Sequence, residues 1–381
     1  MHSLNLDGDV VALLQQLIDI ESVSGNEGPL ADAMETALRA LPALEVTRNG
    51  DAVVARTDLG RERRVILAGH LDTVPLVAGS LPSRLEGVGD SERVIGRGSC
   101  DMKAGVAVFA NMAPAIDAAI GRGDAPDVDV TWVFYDHEEV EDAKNGLGRL
   151  VRETPELLAG DFALLGEPSN AGIEGGCQGT LRIRITAHGR ASHSARAWKG
   201  VNAIHGLAPV LTRLAAYEPR VVTVDGLEYH EGLNAVNITG GIATNVIPDA
   251  ATVEVNLRYA PDRDDAEAVP HLLRSAGVMD EEGKPVEGYS WEITDHAHAA
   301  RPGLESGIAA EFLKAAGGRA SAKYGWTDVA RFATLGIPAV NFGPGDPSLA
   351  HTDEEWCPTA DVHECRRVLL TWLGLVEGNV A

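Results

Sequence analysis

The sequence predicts an α/β protein: a doubly wound, mixed-sheet domain interrupted by an inserted α+β domain of βαββαβ order. Three observations carry this. Up to about residue 178, near-continuous apolar runs at 65–68, 130–135 and 162–165 alternate with helical stretches such as 102–120, the pattern of strands covered on both faces. From Thr180 the pattern changes, and Leu181-Arg182-Ile183-Arg184-Ile185-Thr186 and Val253-Glu254-Val255-Asn256-Leu257-Arg258 alternate strictly, as antiparallel strands with one solvated face do. After about residue 296 the first style returns. The expected domains are therefore 1–179 with 296–381, and 180–295 between them; at 381 residues the chain is long enough for two cores.

Val10, Val11, Leu13, Leu14, Leu17 and Ile18 recur at helical spacing before Ser22-Val23-Ser24-Gly25 breaks the pattern, which predicts an amphipathic first helix packed on the sheet. The inserted domain reads as a strand over 181–187, a helix over 200–216 and strands near 221–224, 234–243 and 251–259. A helix over 264–276 and a strand over 289–295 complete a ferredoxin-like order. A helix over 303–316 and a strand over 339–342 return to the outer domain.

At 45% apolar and 23% charged, with 42 glycines, the composition is that of an ordinary α/β enzyme. A net charge of −24 repels polyanions, so neither nucleic acid nor an anionic membrane is expected as a partner. A small anionic substrate would need local arginines and metal. Cys100, Cys177, Cys357 and Cys365 show no CxxC spacing, which indicates neither a disulfide framework nor a thiolate zinc site and fits a reducing cytoplasm. Residues 1–9 lack a basic segment followed by an apolar stretch, and no uninterrupted apolar run is long enough to span a bilayer.

The chemistry lies where strands end. The run 65–68 leads into Gly69-His70-Leu71-Asp72, 130–135 into Asp136-His137-Glu138-Glu139, and 162–165 into Gly166-Glu167-Pro168. Less directly, 94–95 precedes Asp101 and 339–342 precedes His351. Side chains past the carboxyl ends of parallel strands converge on one crevice. His70 and Asp72, two apart, point the same way, so one can bind metal while the other holds the ring; each could equally be an ordinary strand-end or turn residue. Asp101 precedes the helix expected from Met102, where an N-cap is a serious competitor to a metal ligand. The frame Gly96-Arg97-Gly98-Ser99-Cys100-Asp101-Met102-Lys103-Ala104-Gly105 favours the ligand. Glu138 and Glu139 diverge on a non-helical segment, one toward metal and one toward a water, unless they only extend a solvated acidic run with Glu141 and Asp142. Glu167 and His351 are ambiguous singly. Jointly the set offers N and O ligands without thiolate, which suits zinc, with cobalt or manganese as substitutes, and two ions bridged by one carboxylate are the usual hydrolytic arrangement.

The segments GHLDTVP (69–75), GRGSCDMKAG (96–105), HEE (137–139) and LGEPS (165–169), with a late histidine, resemble the ordered metal motifs of the M20 family of dinuclear zinc peptidases and deacylases. The resemblance implies two zinc ions per subunit bridged by Asp101, with His70 and Glu167 completing one site and Glu139 and His351 the other. It makes Asp72 the orienter of His70 and Glu138 the general base.

Glu174-Gly175-Gly176-Cys177-Gln178-Gly179-Thr180, His193-Ser194-Ala195-Arg196, Asn245-Val246-Ile247-Pro248, Asn256-Leu257-Arg258-Tyr259 and Lys323-Tyr324-Gly325-Trp326-Thr327-Asp328 look most like the family's desuccinylases of the actinobacterial type. The implied reaction is hydrolysis of a small anionic acyl-amino acid, N-succinyl-LL-2,6-diaminopimelate, to succinate and LL-2,6-diaminopimelate. The same resemblance implies a homodimer formed through the inserted domain, with His193 stabilising an oxyanion in the partner's active site. Arg258 would anchor a substrate carboxylate, with Asn245, Gly325 and Thr327 beside it. Two departures stand out: His137, where relatives often carry a smaller residue, and Cys177-Gln178, in a loop that is more basic in many desuccinylases. On the residues alone His193 reads as a surface histidine and Arg258 as a solvated charge near Glu254. The rival functions are an acetylornithine deacetylase or other deacylase, a carboxypeptidase, and an inactive binding module, against which the presence of Glu138 counts.

Overall fold

The computed structural model describes residues 2–305 and 307–375. It divides into two compact units, one of Met1–Gly175, Gly303–Ser321 and Arg331–Ala381, the other of Gly176–Pro302 and Ala322–Ala330. These limits lie outside the expected 180–295 for a physical reason. Cys177 and Ala300 exchange backbone hydrogen bonds of 3.0 and 3.1 Å, which closes the insertion beyond its sheet. Ala322 joins a small core with Val224, Tyr229 and Ala260, drawing a later segment into the second unit.

The first unit is built on an eight-stranded mixed sheet in the order Glu45–Asn49, Ala52–Arg56, Asp129–Tyr135, Arg64–His70, Phe162–Leu165, Ala339–Asn341, Ile173–Gly175, Ala320–Ala322. The four strands from Asp129–Tyr135 to Ala339–Asn341 are mutually parallel. The run 94–95 does form a strand, Arg93–Ile95, but in a separate three-stranded sheet with Arg84–Glu86 and Trp356–Pro358. Asp101 therefore does not follow an end of the parallel sheet. The helix Lys103–Arg122 is long and apolar enough to cross a membrane by length and composition, yet it is a core helix. It packs on Val10–Asp19 and Thr359–Trp372, and its Phe109 carbonyl accepts from buried Trp132 Nε1 at 2.8 Å. Asp9 caps the Val10–Asp19 helix by accepting from the Val11 and Ala12 amides. The expected helix over 303–316 is shorter, Gly307–Ala315.

The second unit carries a four-stranded antiparallel sheet, ordered Gly232–Gly240, Ala250–Tyr259, Gly179–His188, Tyr289–Ala297. One face is apolar: Leu181, Ile183, Ile185, Val253, Val255 and Leu257 pack with Val210, Leu272 and Leu273 from the covering helices. The other carries Arg182, Arg184, Glu254 and Asn256, so the strict alternation of the sequence becomes the two faces of a sheet. The helix expected over 200–216 forms as two pieces, Ala203–Gly206 and Ala208–Ala215, the second opened by Pro209 in its first turn. The strand expected near 221–224 pairs with Leu227–His230 in a hairpin outside the sheet.

Candidate metal centre

His70 ends its strand fully buried. Its Nδ1 lies 3.0 Å from the backbone oxygen of Asp72, with the Asp72 carboxylate at 3.5 Å, and its Nε2 faces Asp101 Oδ1 at 3.2 Å. An Nδ1–H committed to a carbonyl fixes the ring and aims Nε2 outward as a ligand. The Asp72 carboxylate, also fully buried, accepts from Ser24 Oγ at 2.6 Å and from the amides of Glu138 and Glu139 at 3.0 and 3.1 Å. Burial alone would raise its pKa, but His70, Ser24 and the Glu138 amide hold it down at about 2. Asp72 thus joins two strand ends: it flanks His70 and fixes the backbone that bears both glutamates.

Asp101 is not a helix cap. The N-cap position belongs to Met102, which makes no side-chain cap, and the Asp101 carboxylate turns instead to two histidines, Oδ1 to His70 and Oδ2 to His351 Nε2 at 3.3 Å. Its turn is held from below by Glu355, a residue the sequence reading did not single out. The buried Glu355 carboxylate accepts from the amides of Gly98, Cys100 and Asp101 at 3.1, 2.9 and 3.1 Å and from Arg97 Nη1 at 2.9 Å. The same Arg97 nitrogen donates to the Thr352 carbonyl at 3.0 Å, tying the turn to the loop of His351.

His351 has a positive φ of 63°, a conformation few residues other than glycine adopt, and its Nε2 sits 3.1 Å from Glu139 Oε1. Glu167, buried, follows Gly166, whose amide donates to Ala68 at 3.0 Å. A Cβ on Gly105 would lie 2.0 Å from the Gly166 oxygen, so only glycine lets the Lys103–Arg122 helix approach the Glu167 turn this closely. His137 also has positive φ; its Nδ1 pairs with Asp136 Oδ2 at 2.7 Å, and its amide donates to fully buried Glu27.

Two ligand sets result, His70 with Asp101 and Glu167, and Asp101 with Glu139 and His351, the offered atoms of each lying within 4.8 Å of one another. Zinc–ligand bonds of about 2.0–2.2 Å in a tetrahedron separate neighbouring ligand atoms by roughly 3.3–3.6 Å, close to the 3.2 and 3.3 Å between Asp101 and the two histidines. The charge balance also asks for a cation. Asp101 and Glu139 raise His351 to about 10, while burial opposes but Asp101 and Asp72 outweigh it in raising His70. The Asp101 carboxyl, pushed up by burial, is pulled well below its ordinary range by His351 and His70. Protons on these rings occupy the positions where divalent cations would satisfy the carboxylates, so the residues fit the metals.

The remaining expected site residues, His193, Asn245, Arg258, Gly325 and Thr327, all belong to the second unit. His193 and Asn245 are neighbours across a short ladder: Ser194 N donates to Asn245 O at 2.9 Å, and exposed His193 accepts the Ala195 amide on Nδ1 at 3.1 Å. Arg258 is half-buried on the polar face of its strand, and burial and Arg182 lower its pKa. The expected pairing of Glu254 is with Arg184 instead, at 2.6 Å. Buried Thr327 offers its carbonyl to the Cys177 thiol at 3.8 Å.

Residues 66–374 match peptidase family M20/M25/M40, and the chain belongs to this family. A succinyl-diaminopimelate desuccinylase of Corynebacterium glutamicum is 46% identical over 374 residues, covering 97% of each chain. A Mycobacterium tuberculosis protein assigned as succinyl-diaminopimelate desuccinylase DapE is 50% identical over 372 residues, covering 97% of this chain and 99% of that one. The fold is shared with the aminopeptidase PepT of Bacillus cereus (TM-score 0.75, 16% identity, 98% and 99% of the two chains). It is also that of a dinuclear metal-binding M20 peptidase of Bacillus subtilis (TM-score 0.67, 15% identity, 96% of each).

Proposed function

We propose that this chain hydrolyses N-succinyl-LL-2,6-diaminopimelate to succinate and LL-2,6-diaminopimelate, a step toward lysine. The observation that carries the reading is identity of 46–50% over nearly the whole chain with desuccinylases of that name.

His70, Asp101 and Glu167 would hold one divalent ion, and Asp101, Glu139 and His351 a second, zinc by ligand type with cobalt or manganese as substitutes. When bound, such a pair polarises the scissile carbonyl and lowers the pKa of water. Glu138 accepts the proton of the attacking water and returns it to the leaving amine, one carboxyl serving both steps. Asp72 keeps the Glu138 backbone and the His70 ring in register with each other. His193 donates to the carbonyl oxygen as it gains charge, and Arg258 binds a substrate carboxylate with Asn245, Gly325 and Thr327.

In this reading His193 serves the active site of a second subunit. The dimer is supported by the outer edge of the Gly232–Gly240 strand, where Val236 and Ile238 are exposed, with Ile242 exposed just beyond it and exposed Ile204 packed beside Gly240. An unpaired apolar edge is usually covered. The four cysteines, all free and buried, suit a reducing cytoplasm.

The test is kcat/KM of the zinc-loaded protein on N-succinyl-LL-2,6-diaminopimelate beside N-acetylornithine. Preference for the succinyl compound by orders of magnitude is expected. Preference for the acetyl compound moves the chain to another deacylase, and activity on neither removes the substrate assignment.

A further inference from the structure

Among the described residues one more group offers ligand atoms as closely gathered as the two sets above: Asp265, His296 and His298, within 4.8 Å of one another. All three lie in the second unit, and none takes part in the proposed reaction. His296 Nε2 is 2.9 Å from Asp265 Oδ1, His298 Nδ1 contacts Asp265 Oδ2, and the two rings meet edge to face with centroids 5.2 Å apart.

Strand register explains how they meet. Tyr289, Trp291 and Ile293 pair with Ala187, Ile185 and Ile183, but a bulge between Ile293 and Asp295 shifts the ladder so that His296 pairs with Leu181. Without that extra residue His296 would fall opposite Thr180, on the polar face. A one-residue slip turns every following side chain over, and bulges commonly re-aim a side chain in this way. Here the slip turns His296 to the face that the Asp265–Ala276 helix covers. His298, two residues on, follows to the same side.

The carboxylate is also set in place. Asp264, not Asp265, caps the helix by accepting from Glu267 N, which frees Asp265. Buried Tyr259 then donates its hydroxyl to Asp265 Oδ1 at 2.8 Å, the kind of outer contact that orients metal-binding carboxylates.

We propose that Asp265, His296 and His298 form a site for a single divalent cation of the zinc class, which clamps the start of a helix to the end of a strand. Two imidazoles and one carboxylate suit zinc, cobalt, nickel or copper and leave a coordination position for water.

The test uses full-length protein stripped with a chelator and dialysed to equilibrium against excess zinc, with bound zinc counted by mass spectrometry. The expected result is one fewer zinc ion per chain in H298Q and in H296Q/H298Q than in the wild type. kcat/KM of the zinc-loaded variants should be unchanged, and H230Q, which alters an exposed histidine outside the cluster, should retain the wild-type zinc content. His298 is itself exposed, so H298Q tests the site without disturbing the core. Cobalt-loaded wild type should also absorb more strongly in the visible than cobalt-loaded H298Q, which keeps only the bands of the other two sites. Equal zinc content in wild type and both variants, or the same loss in H230Q, overturns the site and leaves a hydrogen-bonded histidine–carboxylate cluster.

Discussion

The parallel strands of the first unit and the antiparallel sheet of the second carry their polar side chains in different places. In the first, strands such as Arg64–His70 and Asp129–Tyr135 are buried nearly throughout, so functional groups are confined to strand ends and the turns beyond. There Asp72 and Asp101 are over-determined, Asp72 by Ser24, His70 and two amides and Asp101 by Glu355, while His351 alone of the candidate ligands is exposed. In the second, a solvated face lets Arg184, Glu254 and Glu292 pair in the open, and His193 is exposed. Rigid burial suits groups that must hold charge at fixed spacing. Exposure suits groups that must meet a substrate or another subunit.

The contrast can be broken most sharply at Glu138. Glu138→Gln should retain both metals, measured by mass spectrometry, and lose about 10²–10⁴ in kcat; wild-type turnover would remove it as the acid/base. His193→Ala should lower kcat about 10²–10³-fold, the cost of one oxyanion donor, and mixing it with Glu138→Gln subunits should restore activity. No recovery on mixing would place His193 in its own subunit's chemistry or outside chemistry altogether. Arg258→Ala should raise KM by the loss of about 1.5–3 kcal/mol from a charge-assisted hydrogen bond, with kcat little changed; an unaltered KM would return Arg258 to the solvated face.

Glu355→Gln turns an amide NH2 toward two of the four donors, either the Cys100 and Asp101 amides or the Gly98 amide and Arg97. Metal affinity should fall about 10–100-fold, as for other outer-shell partners, read by competition with a chromophoric chelator. A pH effect needs no substitution. His351 must lose its proton before it can bind metal, and its pKa of about 10 lies above neutrality. Affinity should therefore rise with pH from 6 to 9, with protons released on loading. Affinity flat across that range would mean that His351 is not a ligand.

The candidate ligand positions were legible because they follow apolar runs: His70, Glu139 and Glu167 stand where the parallel strands stop. Asp101 was legible as a residue type but not as a role, since cap and ligand look alike until Met102 takes the cap position. The supporting groups left no local trace. Glu355 lies more than 250 residues from the amides it binds, Ser24 is 48 from Asp72, and neither belongs to a periodic pattern. Alternation gave the faces of the second sheet, but the bulge before Asp295 could not be read from it, because one extra residue changes the phase without changing the composition. The strand at 94–95 was found and assigned to the wrong sheet for a related reason: a run of two apolar residues does not name its partner.

The dependence of the Asp101 turn on Glu355 also fixes an order of events during synthesis. Most of the parallel strands can pair once residue 165 has left the ribosome, yet the loop that presents the shared carboxylate has no anchor until about two hundred residues later. The Asp101 turn is therefore completed late, and a nascent or truncated chain ending at residue 354 carries all five candidate ligands in sequence but holds the shared one, Asp101, on an unsupported turn.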